Sequence, residues 1–210
     1  MRGDCSESIP DILSGRLVDA AVSKMGMNSS PKHMGDYSRF LFPHPDDEPF
    51  RIVMAKQMSS CALFALSVMR EAGIVHDMLE EPYHKNMGKA VYMVCKILTD
   101  LGCWLGDKSS DQICAGDIVV VGDNTNATYG GVEHVFIVAS IDSEGIMETI
   151  DGGQRNGSDW CIDARKRKVD GAWVRTCDHE YSIDKPGKGR RIRGFGCVKK
   201  ITHGLPTSSL

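Results

Sequence analysis

Two apolar runs separated by Asp142-Ser143-Glu144-Gly145 constrain the fold of this 210-residue chain more than any other feature. Residues 132–141, VEHVFIVASI, are dense in β-branched and aromatic side chains, and residues 146–151, IMETID, follow the polar turn. Such runs on either side of an Asp/Ser/Gly turn read as an antiparallel hairpin. If Ile141 faces Ile146, paired residue numbers sum to 287, and His134 lies opposite Gly153. Asp151 is then a diagonal neighbour of His134 on the same face, about 7–8 Å away at Cα. A slip of one residue would take Asp151 off that face and bring Gln154 opposite His134 instead. Asp151 is therefore the first choice as a hydrogen-bond partner for His134, and Gln154 the second. Glu133 precedes His134 directly and points to the opposite face.

The rest of the second half has the same strand-like texture. Residues 116–123, GDIVVVGD, give a short β-branched run after a Gly-Asp turn, and 172–176 and 192–198 read as further strands. The first half has a different period. Residues 11–25 carry a helical stripe of Ile12, Leu13, Leu17, Ala21, Val22 and Met25, with Gly26 as a stop. Residues 61–72 form a second helix, with Ser59 or Ser60 as N-cap and Gly73 at C′. A third spans 86–101, ending at Gly102. Residues 28–50, rich in Pro, His, Gly and Asp, read as a surface loop or lid. Helices followed by an antiparallel meander read as an α+β fold.

With 41% hydrophobic and 25% charged residues, the chain has ordinary globular composition and the length for one substantial core. One domain is expected over 1–210, its core at about 55–200. The first residues, MRGDCSESIPDILSG, lack an apolar stretch of signal-peptide type, and no run is long enough for a membrane span. Synthesis in the cytoplasm follows, with any export left to a dedicated secretion system that would deliver the chain to periplasm or cell wall. Eight cysteines at scattered spacings, without a CxxC pair or a Cys/His zinc pattern, read mostly as buried thiols. Net charge is −3, yet residues 155–200 hold 13 Lys/Arg against 6 Asp/Glu. The basic set includes RKRK at 165–168, read as a solvated face or a grip for an anionic partner. No aromatic interleaving accompanies it, so nucleic acid is not expected as that partner.

Cys61 is the one cysteine placed in the first turn of an expected helix. It is either a small core residue at a helix start or a nucleophile, because helix-terminal N–H groups favour a thiolate. A cysteine nucleophile needs a base and a group to orient that base. Of seven histidines, His134 alone lies inside an apolar strand, with Asp151 on the returning strand.

A cysteine opening a helix, then GDIVVV, then HVFIV, then an acid or amide closing the next strand resembles the NlpC/P60 and CHAP branch of papain-like cysteine peptidases. The resemblance covers about residues 55–155, with SSCA standing where the family has its usual nucleophile motif. It implies a papain-like α+β fold, with N-terminal helices packed on an antiparallel sheet. It implies Cys61 as nucleophile, His134 as general base and Asp151 as the third member. Gln57 and Ser60 are its candidates for the oxyanion or substrate, with Gln154 beside them. No metal or organic cofactor is required. The substrate class it implies is the peptide part of peptidoglycan, cut by an antibacterial effector with a cognate immunity protein as its inhibitor, or by a phage lysin. Two other readings share these residues: a binding module with an inert Cys61, and an acyltransferase or transglutaminase using the same triad.

Overall fold

A computed structural model describes residues 9–44, 48–57, 60–81, 90–106, 112–122, 134–177 and 190–201. Six helices are described: α1 (Ile9–Val22), α2 (Met34–Leu41), α3 (Glu48–Gln57), α4 (Cys61–Glu71), α5 (Asp77–Glu80) and α6 (Ala90–Asp100). Seven strands follow: β1 (Trp104–Gly106), β2 (Ile118–Gly122), β3 (His134–Ile141), β4 (Ile146–Asn156), β5 (Asp159–Asp170), β6 (Trp173–Thr176) and β7 (Arg190–Gly196). A 3-10 turn, Val198–Lys200, ends the described chain.

The strands are antiparallel in the order β1-β7-β2-β3-β4-β5-β6, and a further β6–β7 pairing joins the two ends. Six strands thus form a closed barrel, with the helices outside. This corrects the expected papain-like α+β arrangement of helices on an antiparallel sheet. The physical reason is β5, which occupies the segment that reads as a solvated basic run. Together with the extension of β4 to Asn156, it carries the sheet round to β6 and back to β7.

Burial on both faces explains why β2 shows no polar alternation. All five of its residues are buried. Ile118 and Val120 join Val135, Ile137, Ile150 and Ile162 in the core shared with the helices. Val119 and Val121 join Phe136, Val138, Met147, Val174, Ile192 and Phe195 in a cluster that contains no helical residue. That second cluster fills the barrel, as strand periodicity requires.

α4 is the central helix against the barrel wall. Residues Cys61 to Met69 are all buried, which accounts for its nearly all-apolar sequence. Gly73 (φ +87°) stops it, because only glycine takes that conformation without strain. Gly73 N–H donates to Arg70 O and Ile74 N–H to Met69 O, closing a Schellman motif. Gly102 ends α6 in the same way. α1 buries Leu13, Leu17 and Ala21 and leaves Ile12, Val22 and Met25 exposed, and it stops at Val22, short of the expected residue 25. Residues 28–50, read as a loop or lid, contain α2 and the start of α3. α2 buries Met34, Tyr37, Phe40 and Leu41. Residues 86–89, the expected start of the third helix, lie outside the described residues.

Candidate active site

His134 is the first residue of β3, two before Phe136, so its side chain shares the barrel's inner face at one rim. Asp151 and Thr149 follow Met147 on the inner face of β4, and Arg167 of β5 lies directly across from Met147. Four polar side chains therefore meet inside one end of an apolar barrel.

Asp151 is the hub, and it is fully buried. His134 Nε2 lies 2.5 Å from Asp151 Oδ2. Arg167 grips the carboxylate with both prongs, Nη1 at 2.7 Å from Oδ1 and Nη2 at 2.6 Å from Oδ2. Thr149 Oγ1 donates to Oδ1 at 2.8 Å and itself accepts from Arg167 Nη1. The Arg167 guanidinium stacks 4.5 Å from the Phe136 ring centroid, a contact that suits a planar cation away from water.

Cys61 approaches from outside the barrel. It opens α4, is buried, and its thiol hydrogen-bonds the His134 ring. With Nε2 directed at Asp151, Nδ1 is the nitrogen left for the thiol. The approach depends on Gly152, the outward-facing residue next to Asp151. A Cβ there would overlap the Phe64 Cβ and stand 3.0 Å from Ser60 O, so a bare backbone is what lets the first turn of α4 lie on β4.

Burial alone would lower the proton affinity of His134. The hydrogen bonds to Asp151 and Cys61 outweigh it and raise the imidazole to about 9. For Asp151, burial acts to raise the carboxyl, but the Arg167 charge and the His134 hydrogen bond hold it below the usual carboxylate range. At neutral pH the site therefore holds an imidazolium between a carboxylate and a thiol. That favours the reactive thiolate form of Cys61.

Gln154 lies beside the His–Asp bond, its Nε2 3.4 Å from Asp151 Oδ2 and 3.5 Å from His134 Nε2. Asp151 is the direct partner of His134, and Gln154 is a neighbour of both. Ser60 occupies the N-cap position but makes no side-chain cap bond. Its hydroxyl, 1% exposed, lies 2.5 Å from Tyr37 Oη, and burial of that phenol, opposed by the Ser60 bond, raises it to about 12. Gln57 is the last residue of α3, and the part expected of its side chain lies outside the described residues.

Nothing in the sequence alone singles out Arg167, Thr149 or Tyr37. Arg167 stood in a run of four basic residues, where strand alternation was the only available signal. Lys166 and Lys168 on either side of it are exposed. Seven cysteines are described as thiols, five of them buried. Among the described residues, no group of three or more His, Cys, Asp or Glu is arranged to hold a metal ion. Among the same residues, no helix is long and apolar enough to cross a membrane. Comparison with protein-family models, curated proteins and solved structures gives no match to this chain.

Proposed function

We propose that this chain is a cysteine-dependent amide hydrolase acting on the peptide part of peptidoglycan. The observation that carries the proposal is His134 at the barrel rim, bonded on one side to buried Asp151 and on the other to Cys61 at the start of α4. The order Cys, His, acid along the chain is that of the NlpC/P60 and CHAP enzymes, and it does not depend on whether the sheet is open or closed.

The Cys61 thiolate attacks the amide carbonyl carbon and forms a C–S bond. The carbonyl oxygen becomes an oxyanion, met by the backbone N–H of Cys61 at the start of α4. When the tetrahedral adduct collapses, the C–N bond breaks and the His134 imidazolium gives its proton to the leaving amine. Water then attacks the thioester, His134 takes its proton, and the acid departs as the thiolate is restored. Asp151 fixes the imidazole throughout. The peptidoglycan assignment, and a role as an effector with an immunity partner or as a lysin, rest on the resemblance.

Purified sacculi incubated with the protein, followed by mass spectrometry of soluble fragments, test the reading. Wild type releases new carboxyl and amine ends, and Cys61→Ala and His134→Ala do not. Equal release by all three, or by none, overturns it. A product joined to an added amine in place of water would reassign the chain as an acyltransferase.

A further inference from the structure

Arg167 presents more than another hydrogen bond. The candidate triad in its reactive form holds two anions, Cys61 and Asp151, and one cation, His134. In water this imbalance costs little. Inside a barrel end lined by Phe136 and Val138, an uncompensated buried charge is expensive, and the site would shed it by binding a proton. The proton would go to the more basic anion, the thiolate, and the nucleophile would be lost.

We infer that Arg167 is a positioning residue of this site: its guanidinium offsets the charge of Asp151 inside the barrel, so that Asp151 and Cys61 are anions together beside one imidazolium. The geometry is specific to that task. Arg167 is 6% exposed, both prongs lie on the carboxylate, and the ring of Phe136 packs on its flat face. Thr149 completes the clamp on Oδ1. Around this cluster, β3 supplies His134, β4 supplies Asp151 and Gln154, α4 supplies Cys61, and Tyr37 of α2 lies near Cys61 and Cys161 of β5. The charged and titratable groups that act on His134 and Asp151 are Cys61, Arg167 and one another.

The inference rests on Cys61 being the nucleophile, and its test separates the two. The rate of Cys61 alkylation by iodoacetamide is followed against pH in the intact protein, with labelling located by peptide mapping and folding checked by circular dichroism. In wild type, the titration midpoint of Cys61 lies well below about 8.5, the value of an unperturbed thiol. A wild-type midpoint at or above that value overturns the nucleophile reading itself. Arg167→Met is expected to raise the midpoint by about one pH unit or more, whereas Arg167→Lys, which keeps the charge, holds it near wild type.

A second pair keeps the test decisive if Arg167→Met does not fold. Asp151→Asn leaves Arg167 as an excess cation and lowers the midpoint. Adding Arg167→Met to Asp151→Asn removes that cation and raises the midpoint again by about one unit or more. A low wild-type midpoint with identical midpoints in Asp151→Asn and the double variant overturns the role of Arg167 and leaves the nucleophile standing.

Discussion

The backbone of Gly152 touches Phe64, and this contact seats the start of α4 against the barrel rim where His134 stands. Strand β4 has no room for a side chain at residue 152, since a Cβ would overlap Phe64 and crowd Ser60 O. Gly152→Ala is therefore expected to push α4 outward. The cost is about 1–3 kcal/mol of overpacking, read as a lower urea midpoint. The same shift lengthens the Cys61–His134 contact, so alkylation of Cys61 at pH 6–7 slows well beyond the effect of an alanine at exposed Gly15, where a Cβ meets nothing.

The charge pair at the rim gives stability a defined pH window. His134 is raised from 6.5 to about 9, so its contribution is complete below pH 6.5 and is lost as pH rises through 9. Asp151 is lowered from 3.8 to about 2, so its contribution is complete above pH 3.8 and is lost as pH falls toward 2. Melting temperatures measured across this range should plateau between the two ordinary values and fall on both sides. In His134→Gln the alkaline fall attributable to this residue disappears, so the gap between variant and wild type narrows from pH 7 to 10. Hydrolysis should decline over the same alkaline range, because deprotonated His134 has no proton for the leaving amine.

The sequence placed His134 and Asp151 on one face from a premise that was one residue off. Ile141 faces Met147, not Ile146, and near the turn the paired numbers sum to 288. A bulge between Val138 and Ser140 then restores the sum of 287 at Val138↔Thr149 and Ile137↔Ile150. A bulge leaves little trace in a sequence of β-branched residues, so the relation between His134 and Asp151 was legible and the path to it was not. Barrel closure was hidden for a related reason. β5 carries Asp163, Arg165, Lys166, Arg167 and Lys168, and such a run reads as solvated until Arg167 is seen to be charge-paired inside. α4 was plain, because an N-terminal serine, an apolar run and a positive-φ glycine all agree on it.

Asp117 ties the turn before β2 to the 3-10 turn after β7. Its Oδ2 accepts from Cys114 N–H at 2.8 Å and its Oδ1 from Val198 N–H at 3.2 Å. Burial, opposed by those two backbone hydrogen bonds, raises the carboxyl to about 6. Asp117→Asn keeps one acceptor oxygen and turns an NH2 group against the other N–H. The expected loss is about 1–3 kcal/mol in urea unfolding, with sacculus digestion by the folded fraction little changed.

Tyr37 and Ser60 form a buried pair behind Cys61. Tyr37→Phe leaves the Ser60 hydroxyl without that partner and should cost about 1–3 kcal/mol. Tyr37→Phe with Ser60→Ala removes both groups, and its loss should be smaller than the sum of the two single losses. Additive losses in a denaturation cycle would show that the two hydroxyls are not coupled.

Closing the barrel also settles how little of this sheet can recruit another chain. A seven-stranded open sheet would offer two full edges to any passing strand. Here β7 divides one side between two neighbours: Arg190 and Arg191 pair with β6, and Gly194 to Gly196 pair with β1. At the two ends of the strand order, what remains is the outer edge of three-residue β1 and, on β6, the last two residues, Arg175 and Thr176. Neither is long enough to template an aggregate. The closure that gathers Asp151, Arg167 and His134 at one rim thus also protects a strongly β-forming sequence from pairing with copies of itself.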